Sequence, residues 1–138
     1  MKIKVKLDPG AYMPEYAHDA DAGADLRTPF DVTVYYGESA KVDTGVHLEI
    51  PEGYVGFLKS KSGLNVNYGI LNEGVIDSGY TGSIVVKLYN HSFRTHVFKA
   101  GDKIAQLVIL PFLHADFKKV DKLKKTKRGD NGFGSTGR

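Results

Sequence analysis

The stretch KVDTGVHLEI, residues 41–50, alternates apolar and polar side chains. Its apolar members are Val42, Val46, Leu48 and Ile50. Successive side chains of a strand point to opposite faces, so this alternation predicts a β-strand with one buried face. The rest of the chain repeats the pattern on both sides of this strand.

Five further short apolar segments are rich in Val, Ile, Tyr and Thr. They are IKVKL (3–7), DVTVYY (31–36), YVGFL (54–58), SIVVKLY (83–89) and KIAQLVILPF (103–112). Segments typical of turns separate them: DAGAD, PEGY, KSGLN, NEGV, DSGYTG and KAGD. No long window has a 3.6-residue period, so the sequence predicts an all-β sandwich or barrel with little helix.

Composition limits the chemistry. The chain has 138 residues and no cysteine, which fits one domain and excludes disulfides, thiolate metal sites and cysteine nucleophiles. The first ten residues contain no continuous apolar block, so we expect neither a signal peptide nor a membrane span. We therefore expect the protein to be cytoplasmic.

Charge divides the chain into two parts. Residues 1–115 carry 11 Lys/Arg against 13 Asp/Glu, whereas residues 116–138 carry 8 against 3. We therefore expect a β core domain over 1–115 and a basic, Gly-rich C-terminal arm over 116–138, whose last ten residues are mobile until a ligand binds. Such an arm could bind nucleic acid, close over an anionic ligand, or only be solvated; the lack of interleaved aromatic residues argues against nucleic acid.

Three segments have the composition of oxyanion sites, although each alone also fits an ordinary loop or tail. KSKSGLN supplies Lys61, the Ser62 hydroxyl and N–H groups around Gly63, and GDKIAQL supplies the amide of Gln106. RGDNGFGSTGR offers cationic, hydroxyl and backbone donors. The chain lacks GxxxxGK[ST], HExxH and GxSxG, and its five histidines are scattered, so nucleophilic catalysis has no candidate.

Two aspartates complete the set of reactive groups. Asp25 in DAGADL and Asp77 in GVIDSGY lie in predicted turns between apolar residues. Partial burial there would let a carboxylate orient water or hold a hydrated cation, although most such aspartates only cap turns. A hydrated-metal carboxylate, a base, phosphate donors and an aromatic on a mobile arm together favour hydrolysis of a nucleoside polyphosphate.

Five successive segments resemble the motifs of the trimeric dUTPase family in their order: MPEYAHDADAGADLRT, KSKSGL, GVIDSGYTGSIVVKLYN, GDKIAQL and RGDNGFGSTG. The resemblance implies a homotrimer of jelly-roll-like β subunits with active sites shared between subunits. The arm of one subunit would close over a site formed by the other two. The reaction would be Mg²⁺-dependent hydrolysis of dUTP to dUMP and pyrophosphate, which limits uracil incorporation into DNA and supplies dUMP for dTMP synthesis.

The resemblance also assigns roles. Asp77 would deprotonate the water that attacks the α-phosphorus, Tyr80 would exclude a 2′-hydroxyl from the deoxyribose, and Asp25 would contact Mg²⁺ through water. A hairpin of residues 70–80 would bind the uracil edge, largely through backbone groups. The other residues implied to bind substrate are Lys61, Ser62, Gly63, Asn72, Gly74, Val75, Ile76, Gln106, Arg128, Phe133, Gly134, Ser135 and Thr136. Among these, Ser62 and Gln106 would bind phosphate near the attacked centre, Arg128 would reach the terminal phosphate, and Phe133 would stack on uracil.

The chain departs from the family pattern in three places: Lys61 replaces an arginine, Gly79 replaces an aspartate, and the uracil segment reads LNEGV. In LNEGV, Asn72 and Glu73 do not have the register expected for a side-chain contact to the base. Two alternatives stay open. A dCTP deaminase, alone or bifunctional, needs a glutamate beside C4 of the base, and the only one near the binding segment is Glu73. A non-catalytic nucleotide-binding regulator could use the same fold.

Overall fold

The computed structural model describes residues 1–134, 136 and 137. Within them the backbone forms ten strands and one short helix. In chain order the elements are β1 Lys4–Leu7, β2 Gly23–Arg27, β3 Val32–Val34, β4 Ser39–Glu49, β5 Tyr54–Lys59, α1 Ser62–Tyr68, β6 Ile70–Leu71, β7 Glu73–Ile76, β8 Ser83–Asn90, β9 His96–Phe98 and β10 Lys103–Pro111. All six segments with strand patterns are strands.

The strands form two four-stranded sheets and a two-stranded ribbon. The first sheet has the order β1-β4-β8-β6, the second has β2-β10-β5-β7, and the ribbon is β3-β9. Neighbouring strands are antiparallel throughout. The predicted all-β, jelly-roll-like architecture is confirmed.

The core lies between the two four-stranded sheets. β8 shows why: Ile84, Val86 and Leu88 are buried, while the alternate residues Val85 and Lys87 are exposed. These side chains join those of β2, β4, β5 and β10 in one apolar cluster. Burial of each such side chain stabilises the fold by about 1.5–3 kcal/mol.

An irregularity interrupts β4 where it faces β8. Asp43 is opposite Val85, but His47 is opposite Ser83, so the β4 segment between these pairs bulges. Gly45 lies in this bulge with φ 66°, and an added Cβ would stand 2.9 Å from the Cβ of Ala11. Such a bulge re-aims side chains, here that of His47 towards the start of β8.

Three predicted turns are wrong. DAGAD contributes to β2, because Ala24 and Leu26 are both buried in the sheet. NEGV contributes to β7, and KSGLN begins α1. The helix ends at Gly69, a left-handed glycine whose N–H bonds to the Asn65 carbonyl, a C-terminal signal that the sequence does contain.

The predicted hairpin over residues 70–80 is also wrong. β6 pairs with β8 in the first sheet, whereas β7 pairs with β5 in the second. The chain passes between the sheets at Asn72, whose N–H bonds to the Ser60 hydroxyl at 2.9 Å. Among the described residues, no helix is long and apolar enough to cross a bilayer.

Candidate active site

A polar cluster, formed by Asp25, Lys61, Ser62, Lys103 and Gln106, lies where β5 ends and α1 begins. Asp25 is only 4% exposed, and its two carboxylate oxygens accept separate hydrogen bonds from Lys61 and from Lys103, the latter at 2.6 Å. Burial alone would raise the pKa of Asp25, but the hydrogen bonds and charges of Lys103 and Lys61 outweigh it and hold the pKa below its ordinary value. Asp25 is therefore a carboxylate at neutral pH.

Gln106 is fixed by contacts on both sides. On β10 it is opposite Asp25 of β2 and Lys59 of β5, and its Nε2 donates to the Ser60 carbonyl at 3.1 Å. Gly23 makes room for it, because a Cβ there would stand 2.4 Å from its Oε1. Gly23, the glycine of DAGAD, thus leaves the space that the Gln106 amide of GDKIAQL occupies.

The first turn of α1 presents Ser62 and Gly63 to solvent. Lys61 precedes the helix with extended backbone, and its side chain does not cap the helix N–H groups. These N–H groups have no partner within the helix, so oxyanions are their natural ligands. The polar cluster therefore combines two cations, a hydroxyl, an amide and backbone donors, as a polyphosphate requires.

A second group, which we call the Asp77 turn, comprises residues 77–82. The exposed Asp77 begins it, and the Asp77 carbonyl accepts from the Tyr80 N–H at 3.0 Å. The Tyr80 hydroxyl donates to the Ser83 carbonyl at 2.8 Å, which lays its ring over Gly82. Asp77 and Val75 also line an open cleft of about 260 Å³.

The polar cluster and the Asp77 turn lie at opposite ends of β5. Gln106 is opposite Lys59 at the end of that strand, whereas Ile76, just before Asp77, is opposite Gly56 near its start. Four residues along the strand and two strand spacings across the sheet separate the backbones of Gln106 and Asp77 by roughly 16 Å. One copy of the chain therefore does not bring all the candidate residues together.

The segment implied to bind uracil is mixed in its exposure. Asn72 is 4% exposed, and its Nδ2 points to the Ile104 carbonyl at 3.5 Å. Its Oδ1 is buried and has no hydrogen-bond partner among the residues that the structure describes. Ile76 is buried, Gly74 packs against Leu58, and Val75 is 58% exposed. Backbone groups of this segment are thus better placed for a ligand than the Asn72 side chain.

The arm extends away from its own core. Its described residues from 113 onward are exposed, including Phe133, Gly134 and Thr136. The Arg128 side chain donates to the nearby Asn131 carbonyl at 2.9 Å. Ser135 lies outside the described residues.

Three residues of these groups were missed by the sequence reasoning. Lys103 was a strand residue of GDKIAQL, although its position three residues before Gln106 could have indicated a role. Gly23 and Gly82 were read only as turn glycines. The contact of Gly23 with Gln106 depends on the tertiary fold, whereas the contact of Gly82 with Tyr80 depends on how the local turn folds back.

The polar cluster fits Mg²⁺ only as an outer ligand. Asp25 is its one carboxylate, and the described residues contain no group of three metal-ligating side chains. Mg²⁺ keeps several waters and is commonly held by one or two carboxylates together with substrate phosphates. The donor set is therefore compatible with a hydrated Mg²⁺ carried by a polyphosphate.

Comparison with known proteins decides the family. The model of the dUTPase family matches residues 10–137, nearly the whole chain. The chain belongs to the dUTPase family. Its relatives include a deoxyuridine 5'-triphosphate nucleotidohydrolase of Cutibacterium acnes, 50% identical over 129 residues, which cover 91% of this chain and 85% of the relative. A second, of Gloeothece citriformis, is 42% identical with coverage of 99% and 97%.

Solved dUTPases share the fold closely. A mutant dUTPase of Staphylococcus bacteriophage 80alpha with dUpNHpp gives a TM-score of 0.92 at 30% identity and covers 99% of each chain. A mutant dUTPase from phage phi11 of S. aureus, described with a structural Mg(II) ion, gives 0.82 at 31% identity, covering 88% of this chain and 98% of that one. Glu73, on which the deaminase alternative depended, forms an ion pair with Lys59 at 2.9 Å.

Proposed function

We propose that this dUTPase-family enzyme hydrolyses dUTP to dUMP and pyrophosphate, and so limits uracil incorporation into DNA and supplies dUMP for dTMP synthesis. The observation that carries the mechanism is the position of its two groups at opposite ends of β5, one rich in phosphate donors and the other containing an exposed carboxylate. We place the reaction in the cytoplasm, with the deoxynucleotides.

Asp77 is the proposed general base. Its exposed carboxylate begins a turn fixed by a backbone hydrogen bond, so it can accept a proton from a water molecule bound beside it. That water attacks the α-phosphorus, and the bond from the α-phosphorus to the bridging oxygen breaks, releasing pyrophosphate and leaving dUMP. No protein nucleophile is needed, because phosphoryl transfer depends mainly on alignment and charge neutralisation.

The polar cluster is the proposed triphosphate site. Lys61, the Ser62 hydroxyl, the N–H of Gly63 and the Gln106 amide bind phosphate oxygens around the leaving group. Asp25 is the residue that would hold a hydrated Mg²⁺, and the ion would supply neutralisation of charge on the triphosphate. Lys103 keeps Asp25 ionised and oriented.

Selectivity is assigned to the Asp77 turn and the strand before it. The Tyr80 ring packs against the deoxyribose and leaves no room for a 2′-hydroxyl. Backbone groups from Asn72 to Ile76, including Gly74 and Val75, pair with the uracil edge and exclude the 5-methyl group of thymine.

The complete site is proposed to form in a homotrimer. A triphosphate on the polar cluster of one subunit meets the Asp77 turn of another, which explains why one chain keeps these groups apart. The arm of residues 116–138 closes over the site from the third subunit. There Arg128 reaches the terminal phosphate, Phe133 stacks on uracil, and Gly134, Ser135 and Thr136 clasp the phosphates.

A pyrophosphate-release assay with dUTP, dCTP, dTTP and UTP, each with Mg²⁺ and with EDTA, tests the function. We expect rapid release from dUTP with Mg²⁺ only. Ammonia released from dCTP would support the deaminase, and binding of dUTP without turnover would support a regulator.

The variant Asp77→Asn tests the base. It keeps the shape but cannot accept the proton, so kcat should fall by roughly two to four orders of magnitude while KM changes little. Exposed Glu38→Gln, in the turn before β4 and outside both groups and the arm, is the matched control. Near-normal turnover by Asp77→Asn would reject the assignment.

A further inference from the structure

His47 lies between the N-terminal segment and the Asp77 turn, outside the groups assigned so far. Its Nε2 is 2.9 Å from Asp8 Oδ2, and its Nδ1 is 2.9 Å from the carbonyl oxygen of Thr81. Thr81 directly follows Tyr80, the residue assigned to sugar selectivity. The ring therefore connects Asp8 to the backbone of the Asp77 turn.

Both partners of this ring can only accept hydrogen bonds. A carboxylate has no proton to donate at neutral pH, and a carbonyl never has one. Two good hydrogen bonds at 2.9 Å consequently require a proton on each ring nitrogen, which is the imidazolium form. The two acceptors therefore favour the imidazolium form of His47.

Other contacts strengthen the same connection. The Ser83 hydroxyl donates to Asp43, which also accepts from the Gly45 N–H at 3.1 Å. The β4 bulge thus contacts the start of β8 twice, once through Asp43 and once through His47. With the Tyr80 hydroxyl bonded to the Ser83 carbonyl, these contacts fix the backbone on which the tyrosine ring rests.

We propose that His47 is a positioning residue for dUTP selectivity, holding the Thr81 carbonyl through Nδ1–H so that the Tyr80 ring keeps its place against the deoxyribose. This inference rests on the proposed function of Tyr80. His47 acts through the turn and touches neither substrate nor metal.

The charges around His47 set the direction of its titration. Asp8 and then the Thr81 carbonyl raise the pKa of His47, whereas burial and the charge of Lys6 lower it, with a net upward shift. Asp43 faces it from the bulge, while Lys4 and Glu49 in the same cleft pair with each other at 3.1 Å. The Asp77 turn and the start of β8 also pack against His47, and their side chains there, Thr81 and Ser83, are uncharged.

Deprotonation removes one specific bond. The neutral ring keeps its one proton on Nε2, which faces Asp8, because a hydrogen bond to a carboxylate is stronger than one to the Thr81 carbonyl. Nδ1 then presents a lone pair to the Thr81 carbonyl, so the Asp77 turn loses this hydrogen bond. As the pH rises through the pKa of His47, selectivity for dUTP over UTP should fall.

Two substitutions separate the two ring nitrogens. His47→Asn places an amide N–H where Nδ1 was, so it keeps the Thr81 bond and loses the Asp8 bond. His47→Gln places its N–H where Nε2 was, so it keeps the Asp8 bond and loses the Thr81 bond. The exposed His91→Gln, at the far end of β8, is the matched control.

The measurement is the ratio of kcat/KM for dUTP to that for UTP between about pH 6 and 9. The ratio cancels the titration of the catalytic base and of the phosphates, which both substrates share. We expect the ratio of the unchanged chain, and of His91→Gln, to fall roughly fivefold with rising pH, the value of one hydrogen bond. In His47→Asn this ratio should equal the high value that the unchanged chain has at low pH. In His47→Gln it should equal the low value that the unchanged chain has at high pH, and neither ratio should depend on pH.

A ratio that is independent of pH in the unchanged chain, or equal ratios in the two His47 variants, would overturn the proposal. NMR of the unchanged protein gives a second test that needs neither variant nor turnover: the His47 ring nitrogens and the Gly82 amide should titrate with one midpoint. A Gly82 amide that ignores the His47 titration would refute the connection. Failure to hydrolyse dUTP would instead reject the proposed function and leave that NMR result intact.

Discussion

Gly82 should control selectivity through the ring of Tyr80. An alanine Cβ at this position would lie 2.5 Å from the Tyr80 hydroxyl oxygen and 2.6 and 2.8 Å from two ring carbons. Ordinary contacts of such atoms are about 3.5–4.0 Å, so the ring must move by about 1 Å. This displacement breaks the 2.8 Å hydrogen bond to the Ser83 carbonyl, which contributes about 1 kcal/mol to stability.

The displaced ring no longer closes the space beside C2′ of the sugar. We therefore expect Gly82→Ala to lower the ratio of kcat/KM for dUTP to that for UTP by about tenfold, equivalent to 1.4 kcal/mol. The assay is pyrophosphate release with each nucleotide. Gly79→Ala is the matched control in the same turn, because its Cβ would meet no atom within 4 Å. Equal ratios for Gly82→Ala and Gly79→Ala would refute the reasoning.

Two other predictions concern the polar cluster. Gly23→Ala should displace the Gln106 amide and reduce kcat/KM for dUTP by roughly one to two orders of magnitude, as measured by pyrophosphate release; unchanged kcat/KM would show that the amide has no role. The pKa of Asp25 is lowered in the folded chain, so its ion pairs should stabilise the fold fully above pH 3.8, the ordinary pKa of this group. This stabilisation should be lost as the pH falls through the lower pKa that Asp25 has in the folded chain. The difference in Tm between the unchanged chain and Asp25→Asn should therefore shrink in acid, and a difference that grows there would contradict the assigned ionisation.

The sequence predicted the sheet segments well because their side chains alternate. The alternation in β8 is a local property, and the structure confirms it. In the 41–50 segment the bulge interrupts the alternation, because Thr44, Gly45 and Val46 are buried in succession. The buried Asp25 was placed in a turn because Gly and Asp are typical of turns. Two lysines distant in sequence compensate the cost of burying that carboxylate, and no local pattern contains this information.

The order of the motifs was enough to predict the residues of the candidate site. Only the register of the strands shows that one chain separates these residues into two groups. GVIDSGY and GDKIAQL are successive motifs in the sequence, yet the pairing of β5 with both β7 and β10 sets Asp77 and Gln106 at opposite ends of one strand. The supporting contacts of Gly23 and His47 were equally hidden, because each depends on a residue brought near by the fold. The contact of Gly82 with Tyr80 is local, but it depends on the conformation of the turn.

The assembly of one site from several chains is tested most directly by mixing two inactive variants. Asp77→Asn damages the Asp77 turn, and Gln106→Ala damages the polar cluster. After joint refolding in equal amounts, a site shared between chains can combine the intact turn of one variant with the intact cluster of the other, and about one quarter of normal dUTP turnover should return. If every site lay within a single chain, each would keep one defect, and the mixture would stay as inactive as its components.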